Sequence, residues 1–293
     1  MTIKEIAKMA GVSTAAVSRY FNDGYISEEK REAISKVVNE TGYHPSMQAQ
    51  TLRTKRTGLI GVIIPRIDSS SISKVVEGVL ETTEKNNLQI LLANTMNNAA
   101  KELDYLSIFH DKQVDGVILV GTIFTNDHIT AINSMKVPIV IIGQKMESFN
   151  SVYHDDYNAV LDMTKLLIDK GRKKLVYIGV IKKDKSVGEE RLRGYTDAVI
   201  NADLTELADR TIISEFSADG GYNSMKQLLN KYKEIDGVVV ATDTIATGAM
   251  KYLLEQGIKI PEDIMIVGQG DSPVSRMLTP ELSTVKYYYK QSG

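Results

Sequence analysis

The sequence predicts an α/β protein in which a small all-α head precedes a two-lobed body built on doubly wound parallel sheets. Two patterns support this prediction. Residues 1–45 contain three short stretches with apolar residues at helical spacing, whereas runs rich in Val and Ile alternate with amphipathic stretches from Leu59 onward. The total of 293 residues suits a small module followed by a larger body.

The head is predicted to contain three helices. A first helix begins near Ile3 and ends before Gly11, where glycine suits a left-handed helix end, and Ser13 then caps a second helix. A third helix follows the capping residue Ser27 and ends at Gly42. The inward-facing residues predicted for the second and third helices are Ala16, Val17, Tyr20, Phe21, Ala33, Ile34, Val37 and Val38. This arrangement matches the helix-turn-helix pattern.

The body is predicted to alternate strands with helices. Its apolar runs are nearly continuous, as expected of strands that are buried on both faces. They are Leu59–Ile64, Gln89–Ala93, Gly116–Val120, Ile139–Ile142, Leu175–Val180, Gly237–Ala241 and Ile264–Val267. The number of strand–helix units exceeds what one small sheet accommodates, and polar residues interrupt the pattern near residues 143–158. We therefore expect two lobes, residues 59–155 and 156–282.

Composition and charge exclude several classes of protein. The chain has no cysteine, which excludes disulfides and thiolate metal sites and favours a reducing cytoplasm. No apolar run approaches the roughly 20 residues that span a bilayer, and the N-terminus lacks a signal-peptide pattern. Residues 1–60 hold nine Lys/Arg and six Asp/Glu, against 26 and 31 in the remainder. A basic head on an acidic body suits a protein that presents its head to a polyanion.

A series of collinear motifs closely resembles the LacI/GalR family of bacterial transcription regulators. The motifs are Thr2–Arg19, Tyr25–Arg31, Gly42–Ser46, Leu52–Gly58, Val114–Ile118, Asp155–Tyr157, Arg191–Tyr195, Ile260–Ile264 and Leu278–Val285. The resemblance covers nearly the whole chain. It implies a body of the periplasmic-binding-protein type I fold and a homodimer that binds double-stranded operator DNA and a small sugar. It implies no cofactor and no membrane partner.

The resemblance divides the chain into three parts. Residues 1–45 are expected to form the helix-turn-helix domain, residues 46–58 a hinge helix and linker, and residues 59–293 the effector-binding and dimerisation domain. Residues 283–293 are expected to return to the first lobe. Family members normally continue with a helix and short strands, so the C-terminus is expected to be shortened. We expect Tyr287–Tyr289, with no helix after them, to leave apolar surface uncovered.

The second helix holds the predicted base contacts. Residues at the N-terminus of this helix meet base edges in a helix-turn-helix protein, and here they are Thr14, Ala15, Ser18 and, one turn on, Arg19. Arginine can donate two hydrogen bonds to guanine. The alternative is a surface helix with a solvated arginine, and the resemblance favours DNA contact. Tyr20 departs from the smaller residue usual in the family, and its ring is expected to lie in the core.

Met47 to Arg53 resembles the hinge helix of the family. Leu52 matches the leucine that wedges between base pairs, with Ala49 and Gln50 on the same helix facing the groove or its walls. The cations expected to neutralise phosphates are Arg53, Lys55 and Arg56. A charged linker is the alternative, and it fits these cations better than it fits Leu52.

The resemblance places an effector pocket between the lobes, at the carboxyl ends of the strands. Arg191 matches the arginine that reaches the effector and Phe216 the aromatic that stacks on it. Further candidates are Asp68, Ser70, Asp155, Asp156, Asp243 and Asp271. Asp243 is equally suited to capping the next helix. Asp155 is an alternative candidate for orienting the crossover between the lobes. Most of the serines near Ser70 are expected to cap the following helix. Gly270 replaces a commonly acidic residue, which leaves Asp271 as its substitute.

The function expected from the resemblance is repression of a sugar-utilisation operon, with release from the operator by a sugar or sugar phosphate. Overall similarity points to repressors of the sucrose-operon type. A protein co-regulator in place of the sugar is an alternative, and a solute-binding protein a further one. An enzyme is not expected, because the four histidines are scattered and no hydrolase or nucleotide-binding motif is present.

Overall fold

The computed structural model describes residues 1–44, 56–111 and 114–293. The chain forms two compact units, Met1–Gly58 and Leu59–Gly293. No helix of the described residues is long and apolar enough to cross a membrane.

The first unit contains the three predicted helices. They are α1 (Ile3–Met9), α2 (Thr14–Tyr20) and α3 (Glu28–Thr41). The hydroxyl of Ser13 accepts a hydrogen bond from the Ala16 N–H at 3.2 Å and so caps α2 as predicted. Ser27 occupies the N-cap position of α3, but its side chain makes no capping hydrogen bond. Gly11 and Gly42 have φ of +65° and +62°, the left-handed helix ends that the sequence indicates.

A small apolar core holds these helices together. Ile6, Val17 and Ile34, one from each helix, are fully buried at its centre. Tyr20 packs against this core and meets Phe21 edge to face, with ring centroids 5.1 Å apart. The interpretation of Tyr20 as a core residue therefore agrees with its position.

The second unit begins with a five-stranded parallel sheet in the order β2-β1-β3-β4-β5. The strands are β1 (Leu59–Ile64), β2 (Gln89–Asn94), β3 (Gly116–Val120), β4 (Ile139–Ile142) and β5 (Ser151–Val152). The helices between them are α4 (Ser70–Lys85), α5 (Ala99–Asp111) and α6 (Asn126–Ser134). Side chains from both faces of this sheet are buried, which explains the continuous apolar runs.

A second five-stranded parallel sheet follows in the order β10-β9-β8-β6-β7. Its strands are β6 (Leu175–Gly179), β7 (Thr211–Ile213), β8 (Gly237–Val240), β9 (Met265–Gln269) and β10 (Ser283–Val285). Its helices are α7 (Asp156–Asp169), α8 (Arg191–Asn201), α9 (Ala218–Lys231) and α10 (Asp243–Glu255). Lys185–Glu190 forms a π-helical turn that runs directly into α8. We call the parts built on the two sheets the first and second lobes.

The predicted α/β fold with parallel sheets is confirmed, with three strands missed. β5, β7 and β10 have two or three residues each, too few to show a periodicity. The prediction that residues 283–293 return to the first lobe is wrong for residues 283–285. β10 pairs in parallel with β9, matching Ser283 to Val267, and therefore belongs to the second sheet.

The tyrosine-rich segment after β10 also departs from expectation. Tyr287 is buried, and the short helix α11 (Tyr289–Ser292) lies on α4. Lys290 fixes this contact through ion pairs with Glu77 and Glu81 at 2.8 and 3.1 Å. Tyr288 alone of the three tyrosines is largely exposed. The prediction that the tyrosines leave apolar surface uncovered is therefore wrong for Tyr287.

A buried acid and histidine lie between α5 and α6. The Glu102 Oε1 and His128 Nε2 atoms are 3.5 Å apart, and neither side chain is exposed by more than 5%. The Thr125 N–H donates to His128 Nδ1, which leaves Nε2 directed at the carboxyl group. Burial raises the pKa of Glu102 from 4.5 to about 7.

Replacing Glu102 with Gln is expected to stabilise the body at pH 8 by up to about 3 kcal/mol. Because the pKa is raised in the folded chain, the contribution of Glu102 to stability is complete below pH 4.5 and is lost as the pH passes about 7. Gln imitates the protonated acid, so the two proteins should have similar stability at pH 4.5. Urea unfolding at both pH values measures the difference. Glu84→Gln on the exposed surface of α4 is the control, and equal effects of the two substitutions at pH 8 would contradict this account.

Candidate functional site

The outer face of α2 presents a set of polar groups. Thr14, Ala15 and Arg19 are exposed and Ser18 is half-buried, while Ala16 and Val17 point into the core. Positions 14 and 18, like 15 and 19, are one helical turn apart and therefore share a face. The structure thus brings together all four predicted base contacts on one surface, which offers hydroxyl groups, a methyl group and a guanidinium.

The hinge predictions concern a different part of the chain. Ala49, Gln50, Leu52, Arg53 and Lys55 lie outside the described residues. Arg56, the remaining cation predicted there, is described and exposed.

In the second unit, Arg191 is the centre of a buried polar cluster. Its Nε and Nη2 atoms lie 2.7 and 2.6 Å from Asp156 Oδ1, and its Nη1 donates to the carbonyl of Ala241. The Tyr287 ring covers the guanidinium, with its centroid 4.9 Å from Arg191 Cζ. Burial disfavours the charged form, but the neighbouring Asp156 carboxylate outweighs it and raises the pKa of Arg191 well above its ordinary value. Arg191 therefore remains a cation.

The local sequence positions Arg191 at the start of α8. Asp184 caps the preceding π-helical turn by accepting a hydrogen bond from the Val187 N–H at 3.0 Å. Gly194 then lets α8 approach α7 closely, because a Cβ at this position would lie 2.4 Å from the carbonyl oxygen of Tyr157. This close packing brings Arg191 within reach of Asp156, the first residue of α7.

Asp155 and Asp156 have different roles. Asp155 is the exposed N-cap of α7, and its carboxylate accepts hydrogen bonds from the backbone and side-chain N–H groups of Asn158 at 3.1 and 2.7 Å. Asp156 is buried and forms the ion pair with Arg191. Of these two candidates, Asp156 therefore lies in the buried cluster, whereas Asp155 lies at an exposed helix start.

Asp243 is buried but does not cap α10. Thr242 is the N-cap, and its hydroxyl accepts from the Ile245 N–H at 3.3 Å. The Asp243 carboxylate instead accepts from the Ser272 N–H at 2.7 Å and from the Thr284 hydroxyl at 2.5 Å. Capping by Asp243, one of the two predicted alternatives, is therefore wrong. Its carboxylate joins the loop after β9 to β10.

The segment after β1 reaches across to the second lobe. Arg66 forms a two-pronged ion pair with Asp68, at 2.9 and 2.6 Å, and its Nη1 lies 3.3 Å from the Phe216 carbonyl oxygen. Ser70, the first residue of α4, is exposed, whereas the hydroxyls of Ser69 and Ser71 are half-buried and 2.9 Å apart. Asp68 is thus engaged by a neighbouring cation, and the more enclosed hydroxyls belong to Ser69 and Ser71.

A cleft of about 410 Å³ lies between the lobes at this point. Its lining residues are Arg66, Asn97, Ile181, Ser214, Glu215, Phe216 and Ser217. Phe216 is 37% exposed and so offers part of its ring to the cleft. A wider groove of about 560 Å³ runs along β7 and α9, but its lining contains no acid and no buried charge. Size alone therefore does not identify the site, and we favour the cleft between the lobes.

Asp271 is paired with an exposed arginine. Its carboxylate forms an ion pair with Arg276, at 2.6 Å, and this contact lowers the pKa of Asp271. Among the described residues, no group of three or more His, Cys, Asp or Glu side chains is arranged to hold a metal ion.

The cluster includes residues that sequence reasoning did not select. His154 contacts Tyr287 and Tyr289, with ring centroids 4.9 and 5.2 Å away, and Tyr287 donates a hydrogen bond to Gln269. No local pattern marks the tyrosines, which reach the cluster only through the path of the chain after β10.

Comparison with known proteins gives matches along the whole chain. Residues 2–46 match the model for bacterial regulatory proteins of the lacI family, and residues 164–293 match the periplasmic binding protein-like domain. The sucrose operon repressor of Staphylococcus xylosus is 32% identical over 291 residues, covering 99% of this chain and 90% of that protein. The ribose operon repressor of Haemophilus influenzae is 32% identical over 290 residues, covering 97% and 86%.

The lac repressor dimer bound to operator and the anti-inducer ONPF has a similar structure. Its TM-score is 0.90, with 22% identity over 99% of this chain and 88% of that one. At this identity the comparison establishes the fold of the chain.

Replacing Asp156 with Ala is expected to destabilise the body by roughly 3–5 kcal/mol, because it leaves the Arg191 charge buried without its partner. Asp155→Ala, the matched control one residue away, removes only a cap and should cost about 1 kcal/mol. Urea unfolding monitored by circular dichroism compares the two variants. Equal losses would show that the buried ion pair is not what holds this region.

Proposed function

The chain belongs to the LacI family of bacterial regulatory proteins, and from this premise we propose that it represses a sugar-utilisation operon and leaves the operator when a sugar binds between its lobes. Members of the family are DNA-binding transcription regulators and not enzymes. Relatives named as sucrose and ribose operon repressors support a sugar or sugar phosphate as the effector. A protein that binds operator DNA would act in the cytoplasm.

The outer face of α2 is the observation that best supports sequence-specific DNA binding. In a helix-turn-helix protein this face enters the major groove. Arg19 would donate two hydrogen bonds to a guanine, a contact that discriminates against other bases by roughly 1–3 kcal/mol. Thr14, Ala15 and Ser18 would contact neighbouring bases and phosphates. The hinge residues around Leu52 would widen and bend the adjacent minor groove, and Arg53, Lys55 and Arg56 would neutralise phosphates.

A homodimer would place two such heads on two half-sites about one helical turn apart. The edge strand β2 supports a dimer face on the first lobe. Leu91 and Leu92 on β2 and Leu80 on the adjacent helix α4 are 37–40% exposed, which is unusual for leucines on a sheet edge.

The effector would bind in the cleft between the lobes, with Arg191 and Phe216 as its main partners. Release of DNA requires only that the effector bind one arrangement of the lobes more tightly than the other. Closing of the lobes would shift the first lobes of the dimer and separate the hinge helices. Asp243 is a further proposed contact, whereas Asp68, Ser70, Asp155 and Asp271 receive less support from their positions.

Substitutions at Arg19 distinguish base-specific hydrogen bonding from a purely electrostatic contact. Arg19→Lys keeps the charge but loses the planar pair of donors, so operator affinity should fall about tenfold or more while affinity for random DNA stays nearly constant. Arg19→Ala should lower operator affinity as much, with a small added loss on random DNA. Fluorescence anisotropy with both duplexes at fixed salt measures this. An operator affinity of Arg19→Lys equal to that of the wild type would show that Arg19 contacts only phosphates.

Replacing Leu52 with Ala is expected to reduce the bend of the operator, because a methyl group cannot hold a base step open as a leucine side chain does. Energy transfer between dyes at the two ends of the duplex reports the bend. Leu166→Ala, an exposed leucine of α7, is the control and should leave the bend as it is. An unchanged bend in Leu52→Ala would contradict the wedge role.

A further inference from the structure

The Tyr287 ring covers one face of the Arg191 guanidinium. Its centroid lies 4.9 Å from Arg191 Cζ, and the two residues are only 7% and 5% exposed. The Tyr287 hydroxyl donates to Gln269 at 3.2 Å, which holds the ring in this position. Arg191 does not line the cleft of about 410 Å³ between the lobes. A ligand in that cleft can therefore contact the guanidinium only after a covering group has moved.

The covering ring belongs to a segment between two very short elements. We call residues 286–292 the aromatic strap. It follows β10, an edge strand of three residues, and ends in α11, a helix of four residues. Tyr288 within it is 62% exposed. Segments with so few backbone hydrogen bonds open at a lower free energy than closely packed helices such as α7 and α8. Among the groups around Arg191, the strap is therefore the one most able to move.

The strap connects Arg191 in the second lobe to the apolar core of the first. Tyr289 packs against the cluster that contains Val62 of β1 and Val79 of α4. The Tyr287 and Tyr289 ring centroids are 5.6 Å apart, and the His154 ring lies 4.9 and 5.2 Å from them. Because these three rings are in contact, Tyr287 cannot leave Arg191 without disturbing the contact of Tyr289 with the first lobe.

A close backbone contact at Gly78 holds the strap on α4. A Cβ at this position would lie 2.0 Å from the Lys290 carbonyl oxygen and 3.1 Å from the Gly293 carbonyl carbon. Both contacts are with backbone atoms, so α11 can lie this close to α4 only because residue 78 is glycine. The ion pairs of Lys290 with Glu77 and Glu81 are at the surface and contribute little by themselves. Gly78 therefore controls the closed position of the strap.

We propose that the aromatic strap is a gate over Arg191, closed while Tyr287 lies on the guanidinium and open when α11 leaves α4. This inference rests on the proposed function for the role of Arg191, and it states which contact an effector must displace to reach that residue. The cation–π contact stabilises the closed gate. Arg191 keeps its partner Asp156 when the gate opens, so no buried charge is left unpaired. The affinity of a ligand that uses Arg191 is reduced by the fraction of molecules in which the gate is open.

Modification of arginines by phenylglyoxal tests the gate in the full chain without sugar or DNA. Peptide mapping by mass spectrometry gives the rate at each arginine. Arg193, two residues along α8 with a side chain 54% exposed, is the internal reference. Because modification of a covered group follows its local opening, Arg191 should react roughly tenfold or more slowly than Arg193 in the wild type. Equal rates at the two residues would show that Arg191 is not covered and would overturn the proposal.

Two variants open the gate in different ways. Gly78→Ala pushes α11 away while it favours the helical state of α4 itself, and it should raise the rate at Arg191 about fivefold or more. Glu84→Ala, on the exposed surface of α4, is the matched control and should leave this rate as it is. Tyr287→Ala removes the cover without a change in α4 and should raise the rate to a similar degree. Tyr287→Phe restores the ring and should restore the slow rate.

Arg172 reports whether a variant has loosened as a whole. Its Nη2 donates to the carbonyl oxygens of Pro261 and Glu262, and it lies outside the strap and its partners. Its rate should stay constant in both variants. An unchanged rate at Arg191 in Gly78→Ala and in Tyr287→Ala would overturn the gate. Equal acceleration at Arg172 and Arg191 would also overturn it, because the change would then be a general loosening of the body.

Operator binding, measured with sucrose and ribose as probes, separates this inference from the proposed function. Release of operator by either sugar, together with unchanged modification of Arg191 in both variants, leaves the proposed function intact and refutes the gate. Faster modification of Arg191 in both variants, together with operator affinity that neither sugar changes, supports the gate and refutes release by these sugars.

Discussion

The buried ion pair between Arg191 and Asp156 is the interaction on which the arrangement of the cleft depends. Placing two charges in a protein interior costs more than their attraction returns unless every donor and acceptor is satisfied. Here the guanidinium meets Asp156, the Ala241 carbonyl and the face of Tyr287. One side chain therefore fixes the start of α7, the start of α8, the end of β8 and the segment after β10 relative to one another.

Individual hydrogen bonds also connect the two lobes. Arg66 donates to the Phe216 carbonyl at 3.3 Å, and the Ser186 hydroxyl donates to the Gly143 carbonyl at 2.7 Å. Two such hydrogen bonds contribute little net stability in comparison with a packed apolar interface. An effector bound against the Arg191 cluster would therefore shift the first lobe by forming or replacing contacts of this kind, as the proposed release of DNA requires.

The sequence allowed prediction of the parts whose signals are local. Continuous apolar runs located seven strands, and Ser13 followed by an apolar stripe located α2, because burial and capping leave patterns over a few residues. Tyr287 could not be placed in this way, since it reaches Arg191 only through the pairing of β10 with β9. The sequence likewise offers both Asp155 and Asp156 as candidates without separating them. Both are acids before a helix, and only packing of α7 against α8 shows which one meets the arginine.

Energetic coupling between the cleft and the DNA-binding head must be reciprocal, and this reciprocity gives the most direct test of the proposed function. The measurement is the affinity of an effector sugar for the free protein and for the protein saturated with operator duplex. We expect operator to weaken sugar binding by the same factor by which sugar weakens operator binding. Equal sugar affinity for the free and operator-bound protein would contradict it.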